Sequence, residues 1–227
     1  QSSKIMTTGE GGALLCRTPE LAARAASIID CGRGHSTEPP HAEGGEPFSL
    51  GTNYRMTEMQ AALGLVALER FPDQVQQRDE MAAYLEESLS EIPGIRLLKR
   101  DPRHTTRSFY RYIFALQPTV FGAEHKEVCA ALSAEGIPCW VGYEAMHHYQ
   151  LFQPLRSRLA VPNAFPERFD FDALNLPEAE HACEHEAVWL DECVFRAGFQ
   201  GVDDVATALR KIQAHAVELA KLAEAEE

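Results

Sequence analysis

Two runs decide how this chain is read: Gln1-Ser2-Ser3-Lys4-Ile5-Met6-Thr7-Thr8-Gly9-Glu10-Gly11-Gly12, and further on Gly51-Thr52-Asn53-Tyr54-Arg55-Met56-Thr57-Glu58-Met59-Gln60-Ala61-Ala62-Leu63-Gly64. In the first, Lys4 to Thr8 reads as a short strand, Gly9 to Gly12 as a tight turn, and Ala13 to Cys16 as a returning strand. Thr18-Pro19 is a helix start, with a hydroxyl as N-cap and proline in the first helical position. That helix extends through Leu21, Ala25 and Ile28 to about Asp30. In the second run, Thr57-Glu58-Met59-Gln60 is a capping box. Met59, Leu63, Val66 and Leu68 then give the helix a wide apolar face.

Between the two runs, Cys31 to Thr52 is rich in Gly, Pro, His and Glu. It lacks hydrophobic periodicity until Phe48 and Leu50 and reads as a long loop of the kind that carries function. Pro72 is expected to break or kink the second helix, which resumes over Asp73 to Leu89. Ile95–Leu98 and Ser108–Leu116 read as strands. Glu124–Glu135 reads as a helix ended by Gly136, and Ile137–Val141 as another strand. Residues 142 to 186 are irregular. Ala187–Leu190 is a short strand, and Val202 to about Leu222 a long final helix. The order after Leu98 is strand, helix, strand, loop, strand, helix, which makes a small α+β or α/β domain.

Composition narrows the function classes. The chain has 227 residues, 45% hydrophobic and 24% charged, which suits a folded globular protein. A net charge of −13 repels phosphate backbones, so nucleic acid is not an expected partner. The longest apolar stretch, Ala61 to Leu68, is far short of the roughly 18 residues a membrane span needs. The first residues carry no signal-peptide pattern. Cys16, Cys31, Cys129, Cys139, Cys183 and Cys193 form no C-x-x-C pair, so they read as free thiols in a reducing cytoplasm. His181, Cys183 and His185 have the look of metal ligands, but glutamates are interleaved and a fourth ligand is missing. They read as a polar surface stretch, and no metal is expected. Trp140, Tyr143, Tyr149 and Phe152 read as packing and loop anchors rather than a stacking platform.

Two places could hold chemistry. A lysine forms an imine with an aldehyde cofactor only as the free amine, so its pKa must fall from about 10.4 in an enclosing site. A glycine turn beside it lets backbone approach a bulky ligand. Taken alone, an exposed lysine ahead of a hairpin is the simpler reading of Lys4. At the second place, a helix N-terminus favours anions, and Arg55 offers a fork for phosphate or carboxylate. Ordinary capping beside a surface arginine is the competing reading there.

Taken together, the lysine-to-glycine-turn spacing and the Gly-x-Asn-Tyr-Arg-Met run resemble the DegT/StrS-type sugar aminotransferases, pyridoxal-phosphate enzymes of fold type I. Ala134-Glu135-Gly136-Ile137-Pro138, Gly142-Tyr143, His147 and Val188-Trp189-Leu190 resemble that family's small domain. The resemblance implies an α/β chain that is the C-terminal part of such a transferase. Residues 1–72 are then the remnant of the large cofactor domain and residues 73–227 an α+β small domain. It implies that Lys4 holds pyridoxal 5′-phosphate and moves the proton between substrate and cofactor. Asn53 would reach the cofactor phosphate of a neighbouring subunit in a homodimer with shared sites. Arg55, Tyr54 and His147 would meet the substrates, namely an amino-acid donor and a keto-sugar or keto-cyclitol. Family members are roughly twice as long. The chain is therefore expected to be a fragment, inactive alone, with transaminase activity belonging to the complete protein. Lysine at position 4 favours amino transfer over the related sugar dehydratases, which carry histidine there. Another fold-type-I reaction, or a truncated paralogue serving as a dimerisation or regulatory module, is the alternative.

Overall fold

The computed structural model describes residues 1, 3–34, 49–170 and 173–226, with side chains described as far as residue 222. Most of the loop expected over residues 31–52, including Phe48, lies outside the described residues. The chain divides into two compact units, Gln1–Pro72 and Asp73–Glu227.

The first unit is built on helices. α1 spans Pro19–Ile29, with Thr18 Oγ1 accepting the Leu21 N–H at 3.3 Å and proline in the first turn, as local chemistry predicts. α2 spans Glu58–Ser90 as one helix with Pro72 inside it, so the expected break is not found. A proline there removes one backbone hydrogen bond and crowds the preceding turn. The second half of α2 offsets that cost by burying Met81, Ala82, Leu85 and Leu89.

The hairpin expected over residues 4–16 is also absent, since the described residues there form bends and irregular backbone. An isolated two-stranded ribbon is marginal in water without a third strand or a packed face. Among the described residues of this unit only Ser27 and Gly32 are buried. Met59, Leu63 and Val66 are 79%, 59% and 54% exposed, so the apolar face of α2 that the sequence predicts is uncovered in this chain.

The second unit has a true core. Its elements are β1 (Ile95–Leu97), β2 (Arg111–Leu116), α3 (Pro118–Phe121), α4 (His125–Ala134) and β3 (Cys139–Trp140). They are followed by α5 (Ala160–Ala164), α6 (Pro177–His181), β4 (Ala187–Asp191), α7 (Cys193–Arg196), α8 (Phe199–Ala214) and α9 (Ala216–Glu226). The strands form one antiparallel sheet in the order β1-β2-β4-β3. Register pairs Phe114 with Val188 and Tyr112 with Leu190. Period-2 alternation sends these four side chains to one face, where Leu85, Leu89, Val128, Leu132, Phe195, Val202, Val205 and Leu209 complete the cluster. Gly136, at φ 87°, ends α4 as expected.

Four expectations need adjusting here. Ser108–Tyr110 precede β2 rather than belonging to it, and β3 is two residues long. The last helix is two helices, α8 and α9. At His215 the backbone leaves helical geometry, with its N–H shared between the Lys211 and Ile212 carbonyls at 3.1 Å each. The stretch expected to be irregular carries short 3₁₀ turns at Met146–His148, Gln150–Phe152 and Pro166–Arg168, and a π turn at Ala182–Glu186.

Candidate active site

The two sequence runs meet in the first unit. Thr57 and Gln60 form the capping box reciprocally: Gln60 N–H donates to Thr57 Oγ1 at 3.3 Å, and Thr57 N–H donates to Gln60 Oε1 at 3.0 Å. The other end of the same amide is not idle, because Gln60 Nε2 donates to the Glu10 carbonyl at 2.9 Å. One side chain thus starts α2 and ties the glycine turn to it. Within the turn, Thr8 Oγ1 donates to the Glu10 carbonyl at 2.7 Å and Gly9 N–H donates to Thr7 Oγ1 at 3.0 Å. Gly11 stands at φ 152°, and a Cβ there would lie 2.7 Å from Thr8 Oγ1, so a side chain would not fit.

The second run is fixed against the end of α1. Thr52 N–H donates to the Ile28 carbonyl at 2.9 Å and Tyr54 N–H to the Ile29 carbonyl at 2.9 Å, while Asn53 pairs with Asp30 in an antiparallel bridge. Asn53 Oδ1 accepts the Arg55 N–H at 3.3 Å, an Asx turn that aims the next residue. The Arg55 guanidinium is ion-paired with the Asp30 carboxylate, which also receives Arg33 Nη1 at 3.1 Å. The hydrogen bond from Arg55 holds the Asp30 carboxyl below the usual carboxylate range.

Between the turn and the second run lies a cavity of about 620 Å³, lined by Glu10, Gly11, Gly12, Tyr54, Arg55 and Gln60 with apolar residues of α1 beneath. Its chemistry is mixed. Backbone of a glycine turn faces a guanidinium, a carboxamide and a phenol. Tyr54 is 73% exposed. Lys4 is exposed on the bend before the turn, its N–H donating to the Gln1 carbonyl at 3.2 Å. Neither Lys4 nor Asn53 is among the residues lining this cavity.

His147 belongs to the second unit. It is buried, and its Nε2 lies 2.8 Å from Glu180 Oε1. The histidines weighed as metal ligands take separate partners: His181 lies 3.4 Å from Glu186 and His185 lies 3.0 Å from Glu124. All six cysteines are free. Trp140 and Tyr143 pack on Trp189, at ring-centroid distances of 5.9 and 5.3 Å. Arg111 lies over Trp140 at 4.2 Å and is ion-paired with Asp191 at 2.6 Å. Among the described residues, no helix is long and apolar enough to cross a membrane.

Sequence reasoning missed Asp30 and the second role of Gln60. Asp30 follows the last periodic residue of α1, so its position at the helix end was visible. Its pairing with Arg55 depends on a contact 25 residues away.

Comparison with known proteins identifies the family of the chain. The family model of the DegT/DnrJ/EryC1/StrS aminotransferases matches residues 1–189. A Micromonospora echinospora protein, provisionally named L-glutamine:3-amino-2,3-dideoxy-scyllo-inosose aminotransferase, is 35% identical over 217 residues, 94% of this chain and 51% of that protein. The L-glutamine:scyllo-inosose aminotransferase of Streptomyces griseus is 32% identical over 219 residues, 93% of this chain and 51% of its own length. The crystal structure of 3-amino-5-hydroxybenzoic acid synthase superposes with a TM-score of 0.72 at 24% identity, over 95% of this chain and 53% of that one. The chain spans about half the length of the curated relatives it matches.

Proposed function

The chain belongs to the DegT/DnrJ/EryC1/StrS aminotransferase family, and from that premise we propose that the complete protein transfers an amino group from L-glutamine or L-glutamate to a keto-sugar or keto-cyclitol. The observation that carries this reading is the junction of the two runs: a glycine turn held to a helix N-terminus by Gln60, with Arg55 across a common cavity. The curated relatives named above use L-glutamine and a keto-cyclitol, which favours a cyclitol as acceptor.

The cofactor of this reading is pyridoxal phosphate. The donor set fits its ends: a primary amine at Lys4 suits an aldehyde, and the Asn53 amide and Arg55 guanidinium suit anions. Open space beside the turn agrees, since a Cβ placed on Gly9 or Gly12 would meet nothing within 4 Å. When bound, the cofactor supplies an aldehyde for amine exchange and an electron-withdrawing ring.

The chain's own residues have distinct tasks in this reading. Lys4 Nζ holds the aldehyde end, then moves the proton at the nitrogen-bearing carbon of the substrate. Asn53 binds a phosphate oxygen, in the active site of a second subunit. Arg55 receives the donor carboxylate through its guanidinium, and Tyr54 covers the mouth of the cavity. His147, its ring oriented by Glu180, contacts the acceptor. Residues 1–72 act as part of the cofactor domain and residues 73–227 as the small domain.

The test is an assay of the complete protein with pyridoxal phosphate, L-glutamine labelled with ¹⁵N at the α-amino group, and scyllo-inosose. The reading predicts ¹⁵N in an amino-cyclitol. Loss of CO₂ from the amino acid without a labelled cyclitol would assign another fold-type-I reaction. Cofactor binding with no turnover of any keto-sugar or cyclitol would leave the non-catalytic module standing instead.

A further inference from the structure

We propose that His147, His148 and Glu180 form a binding site for a divalent transition metal of the zinc class.

The three side chains come from two segments. His147 and His148 sit in the 3₁₀ turn Met146–His148, and Glu180 sits on α6. Their candidate ligand atoms all lie within 4.8 Å of one another. Glu180 Oε1 is 2.8 Å from His147 Nε2 and 3.9 Å from His148 Nε2. Tetrahedral zinc with bonds of about 2.0–2.1 Å holds its donor atoms about 3.3 Å apart. The two measured separations straddle that value, so small side-chain rotations would close the set. Glu184 Oε1, one turn beyond Glu180, lies 3.7 Å from His148 Nδ1 and adds a further carboxylate at the edge.

The donors are two imidazoles and a carboxylate. Imidazole selects transition metals over magnesium and calcium, which prefer all-oxygen shells. His147 is buried, while His148 is 48% exposed and gives the ion a way in. The backbone beneath is anchored, since Gln153 Nε2 donates to the His147 carbonyl at 3.2 Å.

The surrounding fold gives such an ion a task. Among the described residues from 142 to 186, the buried ones are Ala145, His147, Ser157 and Pro162. None of the large apolar side chains there is buried, and the segment is made of short turns. A region that cannot build an apolar core is the kind that a metal can hold together. A bound ion would lock the 146–148 turn to α6 more firmly than one imidazole–carboxylate hydrogen bond.

The experiment is metal titration of the chain after removal of bound ions with EDTA. Zn²⁺ should bind with one equivalent per chain. His148→Ala and Glu180→Gln should each weaken it roughly 10–100-fold or more, and His181→Ala should leave it unchanged. Co²⁺ in place of Zn²⁺ should give visible bands without a thiolate charge-transfer band. The Co²⁺ readout uses the unaltered chain, so it stands even if a variant misfolds. The proposal is overturned by the absence of stoichiometric Zn²⁺ binding, by affinity unchanged in both His148→Ala and Glu180→Gln, by loss in His181→Ala, or by a thiolate band.

Discussion

The Arg55 guanidinium is ion-paired with Asp30, the residue that caps the C-terminal end of α1. In the proposed reaction Arg55 must present that same guanidinium to a donor carboxylate, so Asp30 orients it and competes with the substrate. Asp30→Asn keeps the shape and removes the competing charge. Arg55→Ala should raise the KM for L-glutamine roughly ten- to a hundred-fold, the span expected for a lost charge-assisted hydrogen bond. Asp30→Asn should change that KM with little effect on the acceptor's. Steady-state kinetics with each substrate varied in turn separate the two. An acceptor KM that moves instead would place Arg55 at the other substrate.

The capping box makes a local prediction. Thr57→Ala removes the hydroxyl that accepts the Gln60 N–H and should cost about 0.5–2 kcal/mol in the first turn of α2. Gln60→Ala should do more to function, because it also removes the link from α2 to the Glu10 carbonyl, leaving that carbonyl held only from within the turn by Thr8 Oγ1. Hydrogen exchange should show faster amides at residues 57–61 in both variants, and faster exchange in the glycine turn only in Gln60→Ala.

The two units should respond differently to truncation of apolar side chains. Phe114 is fully buried, so Phe114→Ala should destabilise the second unit by about 3–5 kcal/mol. Met59 is 79% exposed, and Met59→Ala should leave the thermal midpoint nearly unmoved. The uncovered face of α2 should make the 227-residue chain self-associate when expressed alone, and Val66→Glu should reduce that association. Light scattering after size exclusion checks it. A well-behaved monomer with one sharp thermal transition would contradict it.

A buried histidine sets an acid limit. His125 is 4% exposed at the start of α4, its Nδ1 is buried without a hydrogen-bond partner, and burial pushes its pKa below the ordinary value near 6.5. The unfolded chain then binds a proton that the folded chain refuses. Its contribution to stability is complete above about pH 6.5 and is lost as pH falls toward the depressed folded value. Denaturant titrations should show this slope in the native chain and a weaker one in His125→Leu.

What could be read from sequence was local chemistry. The Thr18 cap, the Thr57–Gln60 box and the Gly136 stop depend on neighbours within a few residues, and all three are in the structure. The strands expected over residues 4–16 depend on a third strand that the described residues do not supply. Pro72 was read by its local penalty, while the burial of Leu85 and Leu89 that keeps α2 continuous comes from the sheet. The His147–Glu180 contact joins residues 33 apart through a chain of short turns, and no periodic signal encodes such a pairing.

If subunits share sites as proposed, activity should return on mixing two inactive proteins. A complete protein carrying Lys4→Ala and one carrying Asn53→Ala form mixed dimers in which one site keeps both residues. Subunit exchange verified by mass, with no activity regained, would put Asn53 in the same site as its own chain's Lys4.

The most direct test of the central claim is reduction of the cofactor-loaded complete protein with borohydride, followed by peptide mapping. The account predicts a pyridoxyl group on Lys4 and loss of the yellow colour in Lys4→Ala. Label on another lysine, with Lys4→Ala still yellow and active, would contradict it.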